Sequence, residues 1–132
     1  MSTFSLQPPI TFPDVEAMFV AWVPTVIANV PVSTRVPNPR PSRWIQVIRT
    51  GGPRAGLVVD GAQVTFECWD DSNVGAAELA ATLRAQVSAL GGRTAGGHLV
   101  HRVEEFSGPA NVPDLHSEQP RYRWSVAVHV RA

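Results

Sequence analysis

The chain has 132 residues, 44% of them hydrophobic, so it has the size of one ordinary domain and enough apolar side chains for a core. Eleven acidic residues balance eleven basic ones, all arginine, and this zero net charge argues against a free-standing DNA-binding protein, which usually carries a basic excess. A single cysteine excludes an internal disulfide, and without a signal-peptide pattern or an apolar run of ~18 residues we expect a soluble cytoplasmic protein with no membrane partner.

The N-terminal part is predicted to contain an extended arm and then one helix. Residues 1–12 are polar and include prolines, which favours the arm. A helix follows, because the carboxylates of Asp14 and Glu16 suit a helix N-terminus and the next apolar residues have helical spacing. Pro24 interrupts this spacing, so we expect the helix to end near Val23 or to kink there.

Three strands are predicted between this helix and the next one. They cover residues 30–36, 43–50 and 61–69, which are rich in β-branched and aromatic side chains. The segment 37–42 contains three prolines and is predicted to be a loop, since proline has no N–H for a sheet. The third strand alternates, and its apolar face consists of Ala62, Val64, Phe66 and Cys68.

The second half of the chain is predicted to form one helix and two strands. The helix covers 70–90, with capping side chains at its start and two glycines after its end. The strands cover 98–106 and 122–130, and a long loop, 107–120, connects them. This order of elements predicts a single α+β domain over residues 1–132, in which two helices pack on a mixed, mainly antiparallel sheet.

The glycine-rich segment RTGGPR (49–54) connects two of the predicted strands. A P-loop requires a lysine, which the chain lacks, and a dinucleotide loop opens a helix, whereas a strand follows here. We therefore expect no nucleotide and no other cofactor. The connection is longer than the roughly two residues of a minimal hairpin. With Arg49, Arg54 and an exposed Leu57, it suits contact with a partner protein.

Two groups of side chains raise the question of catalysis or metal binding. His98, His101, Glu104 and Glu105 lie close in sequence, but residues three apart on a strand face opposite sides, so the histidines diverge and no metal site is expected. Cys68 falls on the apolar face of its strand, which predicts a buried, inert thiol. No motif combines a nucleophile, a base and an oxyanion donor, so an enzyme is the less favoured interpretation.

Trp69 is predicted to lie on the polar face of its strand, beside Thr65 and Glu67. A tryptophan in that position is covered either by a second layer of the same chain or by a partner at an interface. The sequence leaves both alternatives open, and we include Trp69 among the candidate contacts.

Several phrases of the sequence resemble one known family. In chain order they are FPDVEAMFVAWV, RWIQVIRTGGPR, VTFECWDDS, HRVEEFSGPANVPD and QPRYRWSVAVHVR. The chain resembles the tail terminator proteins of long-tailed phages of actinobacteria. The resemblance extends from about residue 12 to residue 131, and the order and spacing of the phrases are more specific than any one of them.

The resemblance implies a structural protein of the virion, assembled in the host cytoplasm, and not an enzyme. Tail terminators form a homohexameric ring on the head-proximal end of the tail tube. The ring stops growth of the tube and offers a surface to the neck, or stopper, proteins of the head–tail interface. DNA passes through the lumen of the ring without being read. The partners implied are therefore other copies of the chain, the tail tube protein and a neck protein.

The motifs that carry the resemblance include two loops, which become the candidate contacts. The first consists of Arg49, Gly51, Gly52, Pro53 and Arg54, and the second of Gly108, Pro109, Asn111, Pro113 and Asp114. Glycine and proline would shape these loops, and arginine would make charge-assisted contacts. A head–tail connector, stopper or tail-completion protein of the neck is the nearest alternative. A tail-tube subunit and a small enzyme are the others.

Overall fold

The computed structural model describes residues 8–132. This part of the chain contains two α-helices and seven β-strands. In chain order they are α1 (Val15–Val26), β1 (Val32–Ser33), β2 (Trp44–Gly51), β3 (Val59–Trp69), α2 (Asn73–Ser88), β4 (Arg93–Ala95), β5 (His98–Glu105), β6 (Ala110–Asn111) and β7 (Arg121–Arg131). Of the predicted arm, residues 1–7 lie outside the described residues, and residues 8–12 have neither helical nor strand structure.

The strands form one mixed sheet in the order β1-β2-β3-β7-β5-β4, with β6 beside one end of β7. The β1–β2 pair is parallel and all the other pairs are antiparallel. Helix α1 contacts β1 and β2 at one end of this order and β4 at the other, so the sheet curls around the helix. The predicted α+β class, with two helices on a mainly antiparallel sheet, is confirmed.

One hydrogen bond caps the start of helix α1, and another closes its last turn. The Asp14 carboxylate accepts a hydrogen bond from the Ala17 N–H at 3.1 Å, which caps the first turn. At the other end the helix continues through Pro24 to Val26, so of the two expected alternatives the end near Val23 is wrong. A proline removes one helical hydrogen bond and crowds the carbonyl four residues before it, but Pro24 lies in the last turn of this helix. The N–H of the next residue, Ile27, still donates to the Val23 carbonyl at 2.9 Å.

Helix α2 lies inside the predicted range. The Ser72 hydroxyl caps it by accepting from the Gly75 N–H at 3.0 Å. The Gly92 backbone has a φ of +81°, which lets the chain turn away after the helix. Five residues of its apolar stripe are buried against the sheet: Ala76, Leu79, Ala80, Leu83 and Val87.

The strand predictions were wrong at three places. The strand expected over 30–36 is only the two-residue β1, and β4 and β6 were not predicted at all. Strands β4 and β5 form a hairpin around Gly96 and Gly97, whose φ values of +53° and +83° fit a tight two-residue turn. Strand β6 divides the long loop predicted over 107–120.

The sheet has two faces of different character. The inner face packs against both helices, and its core includes Phe66, which meets Phe19 of α1 edge-to-face at 5.0 Å. The β7 residues on this face are Trp124, Val126, Val128 and Val130, which alternate along the strand. The opposite face is turned away from both helices, and we call it the outer face. The glycine-rich loop and the loop around Asp114 lie at its two ends, whereas Gly108 and Pro109 lie on the helical side.

Candidate assembly surface

The outer face is polar at its centre. There the Thr65 and Ser125 hydroxyls of neighbouring strands are 2.7 Å apart and share a hydrogen bond. Three paired positions surround them, on β3, β7 and β5: Gln63 with Ala127 and Glu104, Gly61 with His129 and Arg102, and Glu67 with Arg123. Small residues therefore stand next to long polar ones, which leaves a depression in the surface.

The glycine-rich loop after β2 is held from within by Arg49. Its guanidinium makes a two-pronged ion pair with the Asp60 carboxylate, with N–O distances of 2.7 and 3.1 Å. The same side chain donates to the carbonyl oxygens of Gly51 at 3.1 Å and Gly52 at 3.4 Å. Most of its donors are therefore used inside the chain. Arg49 shapes the loop, and Arg54 is the more accessible of the two candidate arginines.

Glycine is required at the centre of this loop. The Gly52 backbone has a φ of +93°, and a Cβ atom placed there would lie 2.2 Å from the Gly61 carbonyl oxygen. Gly51 also has a positive φ, +119°. The Gly61 N–H in turn donates to the Pro53 carbonyl at 3.1 Å. The loop is thus fixed against the start of β3, as a rigid wall above the outer face.

This wall borders a cleft of about 220 Å³, which we call the outer cleft. Pro53, Arg54 and Ala55 form one side, Glu104 and Phe106 form the other, and Gly61, Gln63, Ala127 and His129 form the floor. Phe106 is 58% exposed although its ring is large and apolar. Arg54 stands at the rim with its guanidinium 5.0 Å from the centre of the Phe12 ring. Sequence reasoning missed Phe106, whose only signal was an aromatic residue directly before a Ser-Gly-Pro turn.

Trp69 is covered by its own chain. The ring stacks on Trp44 of the paired strand at 4.8 Å, and the guanidinium groups of Arg40 and Arg121 lie 5.1 and 5.0 Å from its centre. Only 2% of Trp69 is exposed. The first alternative from the sequence therefore holds, and a partner that approached here would meet the two arginines instead of the tryptophan ring.

At the opposite end of the outer face from the cleft, residues 112–119 form a loop that we call the Leu115 loop. The Asp114 carboxylate accepts hydrogen bonds from the Ser117 hydroxyl at 2.6 Å, the Ser117 N–H at 3.1 Å and Arg40 at 3.2 Å. These contacts lower the pKa of Asp114 well below its usual range, and the hydrogen bond from the Ser117 hydroxyl has the largest effect. Within this fixed loop Leu115 is 93% exposed. Asp114 was a predicted contact, whereas Leu115 was not.

The other residues of the second predicted loop are dispersed. Gly108 packs close to the Arg84 guanidinium, which pairs with Glu105 at 2.6 and 2.9 Å on the helical side of the sheet. Pro109 borders the groove between that side and α2. Asn111 pairs with Tyr122 in the sheet, and Pro113 lies in the Leu115 loop. The loop predicted as one contact surface therefore contributes to three places: the helical side of the sheet, strand β6 and the Leu115 loop.

The cysteine and the two histidines that raised the question of catalysis or metal binding lie in different environments. Burial raises the pKa of the Cys68 thiol far above its usual range, so this side chain is a poor nucleophile. His98 is half-buried and His101 is exposed, on a strand with an irregularity after Val100. Among residues 8–132 no three His, Cys, Asp or Glu side chains are grouped closely enough to hold a metal ion.

The sequence matches no protein-family model, and no curated protein matches it. Neither helix in the described range is both long and apolar enough to cross a membrane.

Proposed function

We propose that this chain is a tail terminator of a long-tailed phage, a ring-forming structural protein that stops growth of the tail tube and joins it to the neck. The observation that supports it best is the pair of rigid, chemically different features at opposite ends of the outer face. One is the outer cleft, and the other is the Leu115 loop.

A closed ring of identical subunits needs such a pair. Each copy must present one patch to the neighbour on one side and a different patch to the neighbour on the other. Both features here are fixed by internal hydrogen bonds, which lowers the entropy that association would cost. The resemblance of five segments, in order, to tail terminators supports the same function.

A terminator has a further requirement, because it must end a polymer. It has to match the last ring of the tube on one side without offering the same surface again on the other. The chain supplies different material for two such sides, since the helices cover the inner face of the sheet, whereas the outer face carries polar strand residues and the two loops at its ends. The partners of the proposal are accordingly other copies of the chain, the tail tube protein and a neck protein.

Addition of the purified chain to polymerising tail tube protein tests this proposal in solution. A terminator shortens the tubes when it is present at far fewer copies than the tube subunit, because one ring per tube is sufficient. An unrelated protein at the same concentration serves as the control. Unchanged tube lengths would favour a neck connector, and a rise in light scattering from the chain alone would identify a tube subunit.

A further inference from the structure

Leu115 is an apolar side chain that its own fold does not use. It is 93% exposed at the tip of a loop in which Asp114, Ser117 and Arg40 are tied together by three hydrogen bonds. The neighbouring end of the loop is held as well, since the Gln119 side chain donates to the Ser42 carbonyl at 3.0 Å. An exposed leucine on a rigid support is an anchor suited to a pocket, because little ordering remains to be done on binding.

The outer cleft has the size and lining to accept such a side chain. Its volume is about 220 Å³, and a smaller apolar cavity of about 150 Å³ already accepts a benzene molecule. Gly61 and Ala127 leave room at the floor, and Phe106 offers an exposed aromatic wall. The cleft therefore suits one branched aliphatic side chain.

The two features cannot meet within one chain. The Leu115 loop joins the sheet at Arg121, whose carbonyl accepts from the Val112 N–H at 2.9 Å. The cleft is lined by Ala127 of the same strand, β7. Six residues of extended strand separate these positions, which corresponds to about 20 Å. Any contact between Leu115 and the cleft must therefore join two copies.

The charges around the two features are complementary. Glu118 is exposed beside Leu115, whereas the carboxylate of Asp114 is already paired with Arg40. At the cleft, Arg54 is exposed at the rim and forms no salt bridge among residues 8–132. The acid at the cleft, Glu104, pairs with Arg102 at 3.3 Å, which offsets its charge. A copy that inserted Leu115 would bring Glu118 toward Arg54, whose guanidinium lies against the Phe12 ring but pairs with no carboxylate among residues 8–132.

We propose that Leu115 of one copy inserts into the outer cleft of a second copy, with Glu118 facing Arg54. The contact is heterologous, so repetition around an axis joins copies head to tail. The inference deepens the proposed function and rests on it for the closure of a ring. The contact itself needs only two copies of the chain.

Disulfide trapping between two single variants tests the contact directly. Leu115→Cys and Ala127→Cys chains are mixed and oxidised, and disulfide-linked dimers are counted by gel electrophoresis and mass spectrometry. The native cysteine, Cys68, is buried and does not interfere. A disulfide requires Cβ atoms about 3.5–4.5 Å apart, so only a close approach is trapped. The matched control pairs Leu115→Cys with Val74→Cys, which replaces an exposed valine on α2.

The proposal predicts several-fold more linked dimer from the first mixture than from the control. Equal yields, no linked dimer, or a dimer formed by the Leu115→Cys chain alone would each overturn it. These results are separate from the test of the proposed function. A trapped dimer from a chain that does not shorten tubes would keep the contact and reject the terminator, and the reverse result would leave a terminator built on other surfaces.

Charge reversal supplies a second readout that misfolding does not imitate. Glu118→Arg in the Leu115→Cys chain should lower the dimer yield, and so should Arg54→Glu in the Ala127→Cys chain. The two reversals combined should restore most of the yield, because the pair is then complementary in the opposite sense. Losses that simply add would contradict the placement of Glu118 against Arg54.

Discussion

Arg49 and Asp60 form a two-pronged ion pair that holds the glycine-rich loop against the start of β3. The carboxylate is nearly buried, with 6% of the side chain exposed, whereas 32% of the arginine side chain is exposed. Arg49→Ala leaves a buried charge without its partner. After allowance for the partial exposure of the arginine, we expect a loss of about 1–3 kcal/mol in the free energy of unfolding.

Urea unfolding at neutral pH, followed by circular dichroism, measures this loss. Arg102→Ala is the control, since its pair with Glu104 lies at the surface with both side chains more than half exposed. We expect the control to stay within about 0.5 kcal/mol of the native chain. Equal losses for the two variants would show that Arg49 does not organise the loop.

Gly52 and Gly56 lie in the same connection but have different surroundings. Gly52→Ala would place a Cβ atom 2.2 Å from the Gly61 carbonyl oxygen on a backbone with a φ of +93°. We expect this variant to lose more than about 1 kcal/mol of stability. A Cβ atom at Gly56 meets nothing within 4 Å, so Gly56→Ala should be neutral or slightly stabilising. Thermal unfolding of the two variants compares their stabilities, and similar melting temperatures would contradict the described loop.

Arg121 and Arg123 both approach the carboxylate of Glu67, at 3.3 and 3.8 Å, but they differ in burial. The Arg121 side chain is 15% exposed and also covers the Trp69 ring, whereas the Arg123 side chain is 45% exposed. We expect Arg121→Ala to cost about 2–3 kcal/mol and Arg123→Ala less than about 1 kcal/mol. Arg121→Ala should also shift tryptophan fluorescence to longer wavelength, because water reaches the ring. A red shift with Arg123→Ala alone would contradict this arrangement.

The lowered pKa of Asp114 predicts a loss of stability in acid. The folded value lies below that of the unfolded chain, about 3.9, so the carboxylate stabilises the fold fully above about pH 4. This stabilisation is lost as the pH falls through the folded pKa. The native chain should therefore exceed Asp114→Asn in stability at neutral pH, and the gap should narrow below pH 4. Urea midpoints of both chains at several pH values measure it, and a constant gap would contradict the prediction.

The fold was predictable where side-chain periodicity is strong. Strand β7 alternates along its whole length, and helix α2 has a continuous apolar stripe between a serine cap and two glycines. The missed strands have no such signal. Strand β4 is three residues long, and only the Gly96–Gly97 pair marked its hairpin. Pro24 was a misleading signal for the end of α1, because it lies in the last turn of a helix whose neighbouring residues Trp22 and Val23 are packed into the core.

The candidate surface was less predictable than the fold. The glycine-rich loop was found because its residue types are unusual, but its partners in the outer cleft come from β5 and β7, which are distant in sequence. The sheet order brings Ala127 and Phe106 next to that loop, and a local pattern contains no information about sheet order. Trp69 lies at a strand position that an interface or a covering layer would both explain. Its burial became clear only with the placement of Arg40 and Arg121.

The most direct test of the proposed function is electron microscopy of lysates from a phage that lacks this gene. The proposal predicts overlong tail tubes that are detached from filled heads, because nothing ends the growth of the tube. Restoration of normal tails by the gene supplied in trans is the control. Tails of normal length detached from heads would place the chain in the neck instead, and intact infectious particles would contradict a role in tail assembly altogether.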